Sequence, residues 1–97
     1  MASRKSGKFN AEGIENLAND KPVVYKIKDE KGNNIYTGSA KRGRVTERLK
    51  EHLPTGKDAI RGGKTVEISQ KPSIAEARKS EERIIKQAQP RQNKKGK

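Results

Sequence analysis

The chain has no cysteine and no tryptophan, and its aromatic residues are Phe9, Tyr25 and Tyr36. Without cysteine there is no disulfide framework, no thiolate zinc site and no cysteine nucleophile. His52 is the only histidine, which removes multi-histidine metal sites and argues against a Ser-His-Asp arrangement. Three aromatics are too few for a multi-base stacking platform. Apolar residues make up 28% of the 97 residues, against 37% charged. So little apolar surface under so much charge leaves room for one small, tightly patterned domain and no second core. No apolar run approaches the roughly 20 residues of a membrane span, and the N-terminus lacks an apolar signal-peptide core. The expectation is a soluble cytoplasmic protein, nucleoid-associated and not secreted.

What the chain has in excess is positive charge: 24 Lys and Arg against 12 Asp and Glu, a formal net charge of +12. A polyanionic partner follows, nucleic acid first and an anionic membrane surface second. Both ends are basic without acids: Arg4, Lys5 and Lys8 in residues 1–8, then Arg91, Lys94, Lys95 and Lys97 near the other end. Residues 1–8 and 94–97 read as flexible basic tails, and 9–93 as one domain with its core in 21–93. The tails suit either phosphate contact or solubility alone.

Between the tails, Asn10 to Asn19 carries Ile14 and Leu17 and suggests a short helix interrupted by Gly13. Val23–Lys28 and Asn33–Gly38 flank the turn-forming Asp29-Glu30-Lys31-Gly32, a hairpin pattern. Pairing Lys28 with Asn33 would set Tyr25 directly opposite Tyr36. A helix is expected over Val45 to Leu53, a loop over Pro54 to Gly63, and a third strand over Thr65 to Gln70, where Val66 and Ile68 alternate with Glu67 and Ser69. Ser73-Ile74-Ala75-Glu76 has capping-box form and opens a helix that Pro90 closes. The predicted fold is α+β, an α/β sandwich with a three-stranded antiparallel sheet flanked by helices in the order α-β-β-α-β-α.

At about 100° per residue, Ile74, Ala77, Ile84, Ile85 and Ala88 form one apolar stripe on the last helix, and Glu81 falls inside it. A carboxylate there needs a cation, either a salt-bridge partner or a metal ion. Arg48 and His52, four residues apart, share a helix edge beside Val45 and Leu49. Such an arginine could clamp a phosphate while the histidine handles a proton. The pair reads equally as an arginine held by a local carboxylate beside a half-exposed histidine. The two tyrosines read as core or as site. Gly38, Gly62 and Gly63 match no phosphate-binding loop and read as turn residues.

Val23-Val24-Tyr25, Tyr36-Thr37-Gly38, Arg48, Glu81 and Pro90-Arg91-Gln92-Asn93, in that order, resemble the GIY-YIG nuclease domain over residues 21–93. The layout is similar to that domain in excision-repair nuclease subunits and phage homing endonucleases. Val23 stands where the first motif has glycine, and Thr37 where the second has isoleucine. The resemblance implies a metal-dependent endonuclease that nicks DNA. It implies a catalytic set of Tyr25, Tyr36, Arg48, His52, Glu81 and Asn93. Either tyrosine would orient or deprotonate water, Arg48 (or Arg44) would bind the scissile phosphate, and His52 would be a proton-transfer partner. Glu81 would hold one Mg²⁺ or Mn²⁺, and Asn93 would fix the geometry of the site.

One carboxylate suffices for a hard ion that keeps most of its waters. Lys41, Arg42, Arg44, Arg91, Lys94 and Lys95 would contact DNA, with a targeting partner protein as a further expectation and a monomer as the default. Two alternatives stay open. One is a non-catalytic nucleic-acid-binding module on the same fold, and the other is a basic structural or ribosome-associated protein.

Overall fold

The computed structural model describes residues 5–88. Asn93, Arg91, Lys94 and Lys95 lie outside the described residues. The elements are β1 (Ser6–Lys8), α1 (Ala11–Glu15), β2 (Val23–Lys28), β3 (Asn34–Ala40), α2 (Val45–Lys50), β4 (Thr65–Gln70) and α3 (Ile74–Ala88). The sheet is antiparallel in the order β1-β4-β2-β3. It has four strands rather than the expected three. Ser6–Lys8, expected in a basic tail, pairs instead with Glu67, Val66 and Thr65 and covers the outer edge of β4. Three residues, Ser6, Gly7 and Lys8, carry no alternation of their own; the unpaired edge of β4 gives them their conformation.

β2 lies between β3 and β4, and its Val23, Tyr25 and Ile27 share one face with Gly38 and Tyr36 of β3 and Val66 and Ile68 of β4. That face packs against Ile14 and Leu17 around α1 and Val45 and Leu49 of α2 to form the core. α3 lies on the other face, across β3 and β2. Among the described residues no buried side-chain nitrogen or oxygen lacks a hydrogen-bond partner, and no helix is long and apolar enough to cross a membrane.

The hairpin register differs from expectation. Tyr25 pairs with Gly38 and Ile27 with Tyr36, and a bulge then brings Lys28 opposite Asn34. The loop is responsible. Asp29 Oδ1 accepts from the amides of Lys31 and Asn33, and Gly32 takes φ +87°, so the turn holds one residue more than a four-residue loop. The bulge sets both Ile35 and Tyr36 against Ile27, and Ile35 joins the core. A shift of two residues preserves the face of every side chain, so both tyrosines keep their expected side of the sheet.

Two helices are shorter than their patterns. α1 ends at Glu15, with Leu17 and Ala18 still buried beyond it. α2 ends at Lys50; the chain continues in tight turns, His52 N–H to Leu49 O and Leu53 N–H to Lys50 O, ahead of Pro54, which disfavours helical backbone before it. The start of α2 is capped from a distance: the Asn19 side chain accepts from the Val45 amide at 2.8 Å. α3 opens as its sequence indicates, with Ser73 Oγ accepting from the Glu76 amide.

Candidate active site

Four of the predicted residues meet beside the edge strand β3. Tyr25 comes from β2, Tyr36 from β3, Arg48 from α2 and His52 from the turn that follows α2. The Tyr25 and Tyr36 rings stack with centroids 6.2 Å apart and planes 28° apart, and the His52 ring lies 5.7 Å from the first and 4.8 Å from the second. The tyrosines are diagonal rather than direct cross-strand neighbours, and the place opposite Tyr25 is Gly38. A Cβ at Gly38 would stand 2.5 Å from the Tyr25 hydroxyl. Gly38 is therefore not a turn residue: it lies in β3 and leaves the space into which the Tyr25 ring extends.

His52 is 1% exposed, not half-exposed. Its Nδ1 lies 2.8 Å from the Asp58 carbonyl and its Nε2 lies 2.8 Å from the Tyr25 hydroxyl. A carbonyl only accepts, so Nδ1 carries the proton. Burial, and next the Arg48 charge, hold the imidazole below the usual histidine range against the pull of the Asp58 carbonyl, so it is neutral at pH 7. Its Nε2 therefore accepts from the Tyr25 O–H.

Arg48 is held by local carboxylates, with Nη1 2.6 Å from Glu51 and 3.3 Å from Asp58. The other reading of its spacing is thus also realised. Yet its guanidinium still acts on both tyrosines. Burial raises Tyr25 and Tyr36 above the ordinary phenol value, and the Arg48 charge pulls both back down. For Arg48 itself, burial would lower the pKa, but the neighbouring Tyr25 and the bonds to Glu51 and Asp58 outweigh it and raise the value. Arg44 lies apart, exposed at the start of α2 and paired with Glu47 at 2.6 Å. Lys41 and Arg42 are exposed in the same loop.

Glu81 is half-buried on α3 and accepts at Oε1 from the Ser39 hydroxyl at 2.7 Å. Its charge raises both tyrosines, which places it within electrostatic reach of them. The buried face of α3 is Ala77 and Ser80, with Ile74, Glu81, Ile84 and Ile85 half-buried, so the apolar stripe is turned slightly and Glu81 stands at its rim. Sequence reasoning missed Ser39, Glu51 and Asp58. Ser39 had one signal: strand alternation from Gly38 sets it on the face that α3 covers.

The pattern of the GIY-YIG catalytic domain matches residues 21–95. No curated protein matches the chain. Among solved structures, the GIY-YIG N-terminal endonuclease domain of UvrC from Thermotoga maritima, bound to its catalytic magnesium, is 30% identical. It superposes with a TM-score of 0.64 over 77% of this chain and 85% of that one. A tyrosine-to-phenylalanine point mutant of that domain gives the same values, and an asparagine-to-alanine mutant, also 30% identical, gives 0.58 over 77% and 84%. With the matching pattern spanning most of its length, and the antiparallel sheet and helices in common with that domain, this chain belongs to the GIY-YIG family.

Proposed function

We propose that the protein is a metal-dependent endonuclease that nicks DNA, hydrolysing one phosphodiester at the cluster of Tyr25, Tyr36, Arg48, His52 and Glu81. GIY-YIG is a nuclease family, which supports hydrolysis of phosphodiesters. The observation that carries the reading is the meeting of both tyrosines and the histidine, with ring centroids 4.8–6.2 Å apart, where the Arg48 guanidinium and the Glu81 carboxylate both lie within electrostatic reach of the tyrosines.

The donor set at Glu81 suits a hard divalent ion. Ser39 occupies Oε1, and no group of three or more His, Cys, Asp or Glu able to cage a metal occurs among the described residues. One carboxylate matches Mg²⁺ or Mn²⁺, which keep most of their waters, and not zinc, which takes three or four side-chain ligands. Held there, one ion would supply positive charge to the non-bridging oxygens of the scissile phosphate. The Thermotoga domain with its catalytic magnesium supports the same choice.

The side chains divide the remaining work by exposure. Tyr25 is buried and bonded to His52, so it holds the floor of the site. Tyr36 is half-buried and orients the attacking water through its hydroxyl. Arg48, with Nη1 fixed by Glu51 and Asp58, presents its remaining N–H groups to the phosphate and offsets the negative charge that builds there. The exposed Lys41, Arg42 and Arg44 contact the DNA backbone. Selectivity comes from DNA structure or from a targeting protein, with a monomer making one nick per visit.

The test is nicking of supercoiled plasmid in Mg²⁺, with EDTA and Glu81→Ala as controls. The variant is expected to lose cleavage by at least about 10²-fold, as when one preorganised charge-stabilising group is removed, while retaining DNA binding in EDTA. Undiminished cleavage by Glu81→Ala overturns the site. DNA binding by the wild type with no cleavage under any metal favours the non-catalytic module.

A further inference from the structure

On the sheet face that carries α3, the helix leaves part of β4 uncovered, and a cleft of about 270 Å³ opens between them. Lys26 of β2, Lys71 beyond the end of β4 and Arg83 of α3 line it, together with Ser69 and Ser80. Glu67 is the single carboxylate in the lining. It stands opposite Lys26 across the strands, but its Oε2 lies 3.1 Å from Lys28 Nζ. Lys26 and Lys71 are half-buried and make no ion pair among the described residues.

Lysine stems commonly cover apolar surface while their ammonium groups reach water, and Val24 and Ile84 supply such surface here. That accounts for the stems. It does not account for three cationic groups sharing one cleft whose only carboxylate is already paired. Like charges in a half-enclosed space repel, and an anion with several acceptor oxygens relieves them and engages the hydroxyls as well.

We propose that this cleft binds a backbone phosphate of duplex DNA, distinct from the scissile phosphate. Glu81 leaves α3 toward β3, where it meets Ser39, whereas Ser80, Arg83 and Gln87 leave it toward β4. The two sites are thus separated by roughly the helix diameter of ~10 Å. That matches the ~6–12 Å widths of the DNA grooves, so one duplex spans both. The choice of DNA rests on the nuclease reading, but the test does not depend on cleavage.

In EDTA, a short DNA duplex and, separately, inorganic phosphate are titrated into the full chain while the backbone amides of Ser69, Lys71, Ser80 and Arg83 are followed by NMR. Shifts with both, or with the duplex alone, support the site. Shifts with phosphate alone overturn the assignment to DNA, and no shift with either overturns the cleft. The double variant Lys71→Gln/Arg83→Gln, with its amide spectrum as the folding control, is expected to reduce the slope of log K against log salt for duplex binding by about 1. Lys71→Arg/Arg83→Lys is expected to restore it, and an unchanged slope in the glutamine variant refutes the proposal. Because binding is read without metal, a protein that never nicks leaves this outcome legible.

Discussion

At the scale of single residues, the Tyr25–His52 hydrogen bond couples the floor of the site to stability. Both partners are fully buried, and the bond exists in one tautomer only. Tyr25→Phe leaves Nε2 of a neutral imidazole without a donor, at an expected cost of about 1–3 kcal/mol in urea unfolding at pH 7. A change under about 0.5 kcal/mol would show that the bond is not formed. The same imidazole sets an acid limit. Its folded pKa lies below its unfolded value, so the unfolded chain takes up the proton first. The stability this neutral state confers is complete above the unfolded value of about 6.5 and falls as pH drops below it. Unfolding midpoints measured from pH 7 to pH 5 are expected to decline, and His52→Gln to flatten that part of the profile. A wild-type profile with no decline would remove the histidine from the account.

At the scale of elements, α2 carries Arg48 yet has only six residues, too few to be stable alone. It is held at its start by Asn19, which accepts from the Val45 amide through its side chain and from the Gly43 amide through its carbonyl. Asn19→Ala removes the side-chain cap and is expected to cost about 1 kcal/mol. Because α2 positions Arg48, nicking is expected to fall as well, whereas Ala at the exposed Glu47 should change it little. Equal effects from the two substitutions would argue that the cap has no special part. The sequence contained this bond only as an asparagine 26 residues upstream, since Arg44, the residue in the cap position, makes no side-chain cap.

At the scale of the whole molecule, the net charge of +12 makes association with DNA strongly salt-dependent. Basic side chains gather among the described residues in the exposed Lys41–Arg44 loop at the start of α2 and in the α3–β4 cleft. Replacing Lys41, Arg42 and Arg44 together by Gln is expected to lower the slope of log K against log salt by about 2–3, since each phosphate left unneutralised removes about one unit. Measured by fluorescence anisotropy across a salt series, an unchanged slope would place the DNA-backbone binding elsewhere.

Local pattern alone settled the order of β2, β3, α2, β4 and α3, the face each tyrosine occupies, and the nearness of the Glu81 carboxylate to the apolar stripe of α3, at whose rim it stands. Alternation and helical period are properties of neighbouring residues, and they survived a two-residue error in hairpin register. Only the tertiary structure decided the pairing of β1, the bulge at Lys28, the burial of His52 and the hydrogen bond of Ser39 to Glu81. The same is true of the carboxylates that hold Arg48. The Tyr25–His52 and Ser39–Glu81 bonds join residues 27 and 42 positions apart. No periodicity in the chain records such distances; they are set when burial leaves a polar group with one partner in reach.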